Sequence, residues 1–187
     1  MKYLVILSLL VVTSCKSVGI IESSDPKDKI GDGYRMLQTG RSLPAKRLFI
    51  DANEIAQKST DESLVATSFV ALGDMYKFKD VGAQTERTYD FNKSITSYEE
   101  ASKILNKLKY NQRLSMAYWG MAQAYTQENN VDKSCEYINK AARAYYEPSG
   151  GDQDKLDQKV ISSVLPYFEY SKSQKYNAKC GVKDIKK

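Results

Sequence analysis

The chain has 187 residues, 42% hydrophobic and 27% charged, with 28 lysines and arginines against 23 aspartates and glutamates, a net charge of +5. That suffices for one domain with its own core and is too short for two, and no apolar run after the first residues has the length of a membrane-crossing helix, which excludes a polytopic membrane protein. Histidine is absent, which removes the commonest general base and the commonest zinc ligand.

Residues 1–14 carry a basic start at Lys2, an apolar stretch over 3–12, and the small residues Thr13 and Ser14 before Cys15. This is the pattern of a cleaved export signal, too short to remain as a membrane span. The run Val12, Thr13, Ser14, Cys15 resembles the bacterial lipobox. The resemblance implies that Cys15 is lipidated and becomes the first residue of the mature chain, a multiply acylated anchor firmer than any single acyl chain. Lys16 stands where an aspartate would retain an enteric-type lipoprotein in the inner membrane. The resemblance therefore implies an outer-membrane location facing the periplasm. Residues 15–24 have no amphipathic period and read as a short tether.

From Asp25 the apolar residues recur at helical steps, and strand-like alternation is missing. Asp25 and Pro26 form a helix start, although Gly31 and Gly33 weaken that first helix intrinsically. A second helix comes after Gly40 and Ser42, with Ala45, Phe49 and Ala52 on one face. A third starts at a capping-box sequence beginning at Ser59 and carries Val65, Phe69, Leu72 and Tyr76. A polar insertion over 79–92 precedes a fourth with Phe91, Ile95, Tyr98, Ala101 and Leu105; the fifth carries Leu114, Tyr118, Met121 and Tyr125. After a turn at Asn129 and Asn130, Val131, Cys135, Ile138 and Ala142 mark the sixth. Asp152 caps a seventh, interrupted by Pro166. The expectation is an all-α domain over 25–172 and a basic tail over 173–187. The tail holds lysines 172–187 nearly unopposed, as a solvated terminus does, or as a contact for anionic lipid does.

Small and large residues repeat across these helices. Gly33, Gly73 and Ala122 sit on first helices, and the second helices repeat a small–large–small set: Ala45, Phe49 and Ala52; Ser94, Tyr98 and Ala101; Ser134, Ile138 and Ala141. Ala52 precedes Gly73 by the same interval as Ala101 precedes Ala122. In this the chain resembles tetratricopeptide repeats, about three of them with a C-terminal capping helix, each interval being longer than the standard repeat's. An unrelated helical bundle would show similar stripes without the common interval.

The resemblance implies stacked helical hairpins whose first helices line a concave partner-binding groove. Carried over residue by residue, that groove takes Ile30, Tyr34 and Leu37 from the first repeat, Val70, Asp74 and Phe78 from the second, and Met116, Trp119, Gln123 and Gln127 from the third. Trp119 is either the anchor for a partner or a filler of the core beneath the last helix. Arg87 and Tyr89 on the insertion are further candidates. The lysine, arginine and asparagine set that clamps C-terminal carboxylates in some tetratricopeptide proteins is missing from these groove positions. Cys135 and Cys180 are an even pair in an oxidising compartment, open to a disulfide or to a buried free Cys135.

No Gly-rich phosphate loop or metal-ligand spacing is present, and neighbouring carboxylates such as Glu99 and Glu100 fall on solvated faces. The expected function is accordingly non-enzymatic, without cofactor, metal or nucleic acid: an envelope adaptor binding a protein segment. The competing expectation is a periplasmic protein with a small-molecule pocket between helices, near Trp119 and Tyr89.

Overall fold

The computed structural model of the chain describes residues 23–77, 88–148 and 162. Those residues are all-helical, in six helices: α1 Pro26–Gln38, α2 Ser42–Ala56, α3 Glu62–Tyr76, α4 Phe91–Lys107, α5 Asn111–Gln127 and α6 Val131–Tyr146. The lipobox, Phe78, Arg87, Cys180, the basic tail and all of the expected seventh helix except Ser162, which is helical, lie outside them.

Short acidic or amide side chains start four of the helices by accepting a backbone N–H that the first turn leaves unpaired. Asp25 accepts from Lys27 N (2.8 Å), Asp61 from Leu64 N (3.1 Å), Asp90 from Lys93 N (3.0 Å) and Asn130 from Lys133 N (3.1 Å). The cap of α3 is thus Asp61, two residues beyond Ser59, whose hydroxyl accepts instead from Asp61 N at 3.0 Å. The aspartate lies nearer the apolar stripe than the serine does. Tight reversals end α1, α4 and α5 at residues of positive φ: Gly40 (72°), Lys109 (57°) and Asn129 (57°). Glycine and asparagine enter that region easily; lysine does so against its side chain's preference.

The helices pair in sequence as antiparallel hairpins, α1 with α2, α3 with α4 and α5 with α6, and each second helix also packs on the next first helix. In addition α3 touches both α1 and α5. The first helices therefore stand side by side, a stack of hairpins rather than a closed bundle. Between the second and third repeats the added length lies in the helices, since α4 and α5 run 17 residues each and are joined through residues 108–110 alone; between the first and second, α2 and α3 run 15 residues each and are joined through the longer segment 57–61.

The small–large–small sets form the core of the first two hairpins, whereas in the third the large member, Ile138, is only partly buried and Ala141 and Ala142 are covered by Met116, Tyr118, Trp119 and Tyr145. Ala45, Phe49 and Ala52 are wholly buried, as are Ser94, Tyr98 and Ala101; Ala141 is wholly buried and Ser134 nearly so. Phe49 lies so close over Gly33 that a Cβ there would fall 2.4 Å from its ring. The Tyr98 ring is held between two glycines, and Cβ atoms at Gly73 and Gly120 would fall 2.7 and 2.3 Å from it. Ser94 adds a hydrogen bond from its hydroxyl to the Gly73 carbonyl at 3.0 Å. Glycine within a helix costs about 1 kcal/mol against alanine, and here the close approach of an aromatic ring is the reason for it.

Gly31 and Gly33 separate the two effects. A Cβ at Gly31 meets nothing within 4 Å, whereas one at Gly33 collides with Phe49. Gly31→Ala is expected to raise unfolding free energy by about 0.5–1 kcal/mol; Gly33→Ala is expected to lower it by about 1–3 kcal/mol through overpacking. Urea titrations of both variants give the comparison, and equal shifts in one direction would contradict the packing described.

Candidate functional site

Because α1, α3 and α5 adjoin, residues one helical turn apart on each of them share one face of the stack. Of the expected groove set, Tyr34, Leu37, Val70, Asp74, Met116, Trp119 and Gln123 are all partly exposed. Ile30 is a correction: it is 6% exposed and packs in the first core with Ala45 and Phe49. It precedes Tyr34 by four residues, slightly more than one turn, and that excess rotation carries it into the core shared with α2 and α3.

Three members of the expected set are joined in one polar network. Asp74 Oδ2 accepts from the Tyr34 hydroxyl at 2.7 Å, and Oδ1 accepts from the Tyr98 hydroxyl at 2.7 Å and from Lys77 Nζ at 2.7 Å. Lys77 Nζ also donates to Gln123 Oε1 at 2.8 Å, so the network crosses α1, α3, α4 and α5. The Lys77 side chain is 7% exposed and that of Asp74 24%. Burial alone would raise the Asp74 pKa; the Lys77 charge and the hydrogen bonds from Lys77, Tyr98 and Tyr34 outweigh it and leave the carboxyl below its ordinary range. Burial and the neighbouring Asp74 charge push both tyrosines well above the ordinary phenol value, so they stay protonated and donate. A carboxylate with three donors is satisfied within the protein. This part of the face is a strut between hairpins more than an open acceptor.

The apolar members are likewise in contact with the fold. Leu37 and Tyr34 pack on the first core, Val70 on the central one, and Met116 and Trp119 on Ala141 and Ala142 of α6 beside Tyr145. Trp119 therefore takes part in hairpin packing while keeping an exposed portion. Tyr89 is hydrogen-bonded through its hydroxyl to Glu128, and Asp90 N donates to the Tyr76 carbonyl at 3.0 Å. The end of the insertion thus folds back onto α3 and α5.

Sequence reasoning missed the opposite end of the same face. There Lys27 of α1, Asp61 at the start of α3, Ser63, Leu64 and Thr67 of α3, and Arg113 of α5 line a pocket of about 550 Å³. Arg113 Nη1 donates to the hydroxyls of Ser63 (2.9 Å) and Thr67 (3.5 Å). Helical spacing offered the signal, since Ser63 and Thr67 are one turn apart and precede Val70 and Asp74 on one stripe. The alignment of Arg113 and Lys27 with them depends on how the hairpins stack.

Cys135 is 6% exposed and carries a disulfide. Its partner lies outside the described residues, where the chain's other cysteines, Cys15 and Cys180, fall. Among the described residues no group of three or more histidine, cysteine, aspartate or glutamate side chains is placed to hold a metal ion, and no helix is long and apolar enough to cross a membrane. No family model, curated protein or solved structure matches the chain.

Proposed function

We propose that this chain is a lipid-anchored, non-enzymatic adaptor of the bacterial envelope, tethered through Cys15 at the periplasmic side of the outer membrane, whose tetratricopeptide-like hairpins bind a segment of an envelope protein. The observation that carries the reading is the side-by-side placement of α1, α3 and α5. That placement brings Leu37, Val70, Met116 and Trp119 to partly exposed positions on successive first helices. Apolar and aromatic residues repeated on one rigid face suit a partner chain that runs across the hairpins. Satisfaction of the polar Asp74 network within the protein leaves such a partner to be held mainly through apolar contacts.

Two measurements test the two halves of the proposal. Intact mass of the membrane-extracted protein is expected to show an acylated Cys15 as first residue, and Cys15→Ser to release the chain into the soluble fraction; an unmodified, membrane-free wild type would remove the anchor. Photo-crosslinker placed at Val70 is expected to capture one envelope protein in cells, and crosslinker at the exposed Glu99 of α4 to capture none. Equal labelling from both positions would exclude recognition through the first helices. Trp119→Ala is expected to weaken capture by about 2 kcal/mol in binding free energy, the size of an interfacial aromatic anchor.

A further inference from the structure

The outer flank of the third hairpin is covered at a place where no described helix lies. In the first two hairpins, the residue after a small member of the second helix faces the hairpin that follows. Asn53 Nδ2 of α2 donates to Ser68 Oγ of α3 at 2.9 Å, and Ile95 of α4 shares a core with Leu114 and Ala117 of α5. The same positions on α6 are Ala142 and Cys135. Among the described helices α6 packs on α5 alone, yet both residues are buried. Asn139 lies between them on that stripe, and its side-chain oxygen is out of water without a hydrogen-bond partner. We infer that the occupant of this flank is the chain's own segment 149–180 and that a disulfide between Cys135 and Cys180 locks it there, so that oxidation closes this end of the array and reduction opens it.

The choice of Cys180 rests on the proposed anchor: an acylated Cys15 carries its lipid on sulfur, which leaves Cys180 as the partner for the disulfide of Cys135. The path of the segment follows from where its two ends are held. Asn111 Nδ2, at the start of α5, donates to the Pro148 carbonyl at 2.6 Å, whereas Ser134 Oγ pairs with Thr126 Oγ1, near the end of α5, at 2.7 Å. The chain thus leaves the hairpin at one end and the disulfide returns it to the other. At about 1.5 Å per residue α6 sets those ends about 20 Å apart, so the segment runs back along the helix. Leu156, Val160 and Val164 recur in it at helical steps. Ser162, which is helical and exposed, belongs to the opposite side from Val160 and Val164, and that leaves the apolar stripe for α6. Pro166 interrupts the stripe, so the hold of the segment depends on the loop that the disulfide closes. A dithiol reductant opens the lock by passing two hydrogens to the cysteine sulfurs and closing its own disulfide.

The test is made on the full chain as purified from cells under non-reducing conditions. Tryptic mapping is expected to find peptide 134–140 linked to peptide 180–183, and the link to disappear with dithiothreitol. Trp119, the only tryptophan, packs beside Ala142 and reports on the flank. Reduction of wild type, or Cys180→Ser, is expected to shift its emission to the red and to raise its quenching by acrylamide, with loss of tryptic protection at Lys155 and Lys159. Cys15→Ser is expected to change none of these. Far-UV circular dichroism checks that Cys180→Ser keeps its helices, and the mapping and the reduction of wild type do not depend on that variant. A link from peptide 134–140 to Cys15 or to a second copy of itself, or free thiols at both Cys135 and Cys180, would overturn the inference, as would Trp119 emission and proteolysis indifferent to reduction of a proven link. The anchor is judged separately: a Cys15 link removes both readings, free thiols beside an acylated Cys15 remove this one alone, and the expected link with an unacylated Cys15 removes only the anchor.

Discussion

Tyr98→Ala is expected to be the most destabilising single substitution among the described residues, lowering unfolding free energy by about 4 kcal/mol or more. The side chain has no exposed surface and its ring fills the space that Gly73 and Gly120 leave open. Removing a buried aromatic ring costs about 3–5 kcal/mol in lost transfer energy and residual cavity. Here the cavity would stay open, because the glycines on both sides offer no side chain to collapse into it. The hydroxyl adds a second part, since its loss takes one of three donors from the Asp74 carboxylate. Tyr98→Phe isolates that part and is expected to cost about 1–3 kcal/mol, the range for depriving a buried acceptor of its partner. Urea unfolding of both variants distinguishes the contributions, and a Tyr98→Ala cost no larger than that of Tyr98→Phe would refute the wedge described.

Asp74→Ala is the second large effect, expected at about 3–5 kcal/mol, because it takes the Asp74 carboxylate away from the buried Lys77 ammonium and breaks a buried ion pair on one side only. Replacing both members, as in Asp74→Ala with Lys77→Met, is expected to recover much of that loss, since a well-packed apolar pair no longer carries a desolvated charge. The pH dependence has a defined sign. Asp74 is held below its ordinary pKa in the folded protein, so its stabilisation is fully present above the unfolded value of about 3.9 and disappears as pH falls through the lower folded value. In denaturation curves taken from neutral pH downward, wild type should converge on Asp74→Asn only below pH of about 4. A difference between the two proteins that is constant down to the lowest pH at which both fold would show that ionisation of Asp74 contributes nothing.

These variants are also informative about the proposed function, since the Asp74 network joins residues of α1, α3, α4 and α5. A strut crossing the three hairpins fixes how the first helices stand relative to one another. Tyr98→Phe, the milder change, is therefore expected to perturb crosslinking at Val70 more than its stability loss alone would suggest.

The helical class, the order of the helices and most of the residues buried in the first two hairpins were legible in the chain before any packing was known; in the third, Val131 is 49% exposed and Ile138 only partly buried. Those features rest on local physics: apolar residues at helical steps, Asp and Asn at the caps, and small residues where an aromatic ring approaches. Phe49 pairs with Gly33 and Tyr98 with Gly73 by spacing, because a hairpin repeats its own geometry. Spacing did not contain how one hairpin lies on the next. Gly120 is outside the repeated small positions, yet it forms the second wall around Tyr98. Ile30 lies one step too far around α1 to reach the groove. Asp74, Tyr34 and Gln123 read as independent surface residues until packing joins them through Lys77 and Tyr98. The cationic pocket was equally hidden, because Lys27 and Arg113 are remote in the chain and meet at one space only through the stacking of α1, α3 and α5. Periodicity fixes which face of a helix is apolar, whereas the rotation and offset between helices come from side chains interlocking across the interface, and it is that interlocking that makes these polar residues neighbours.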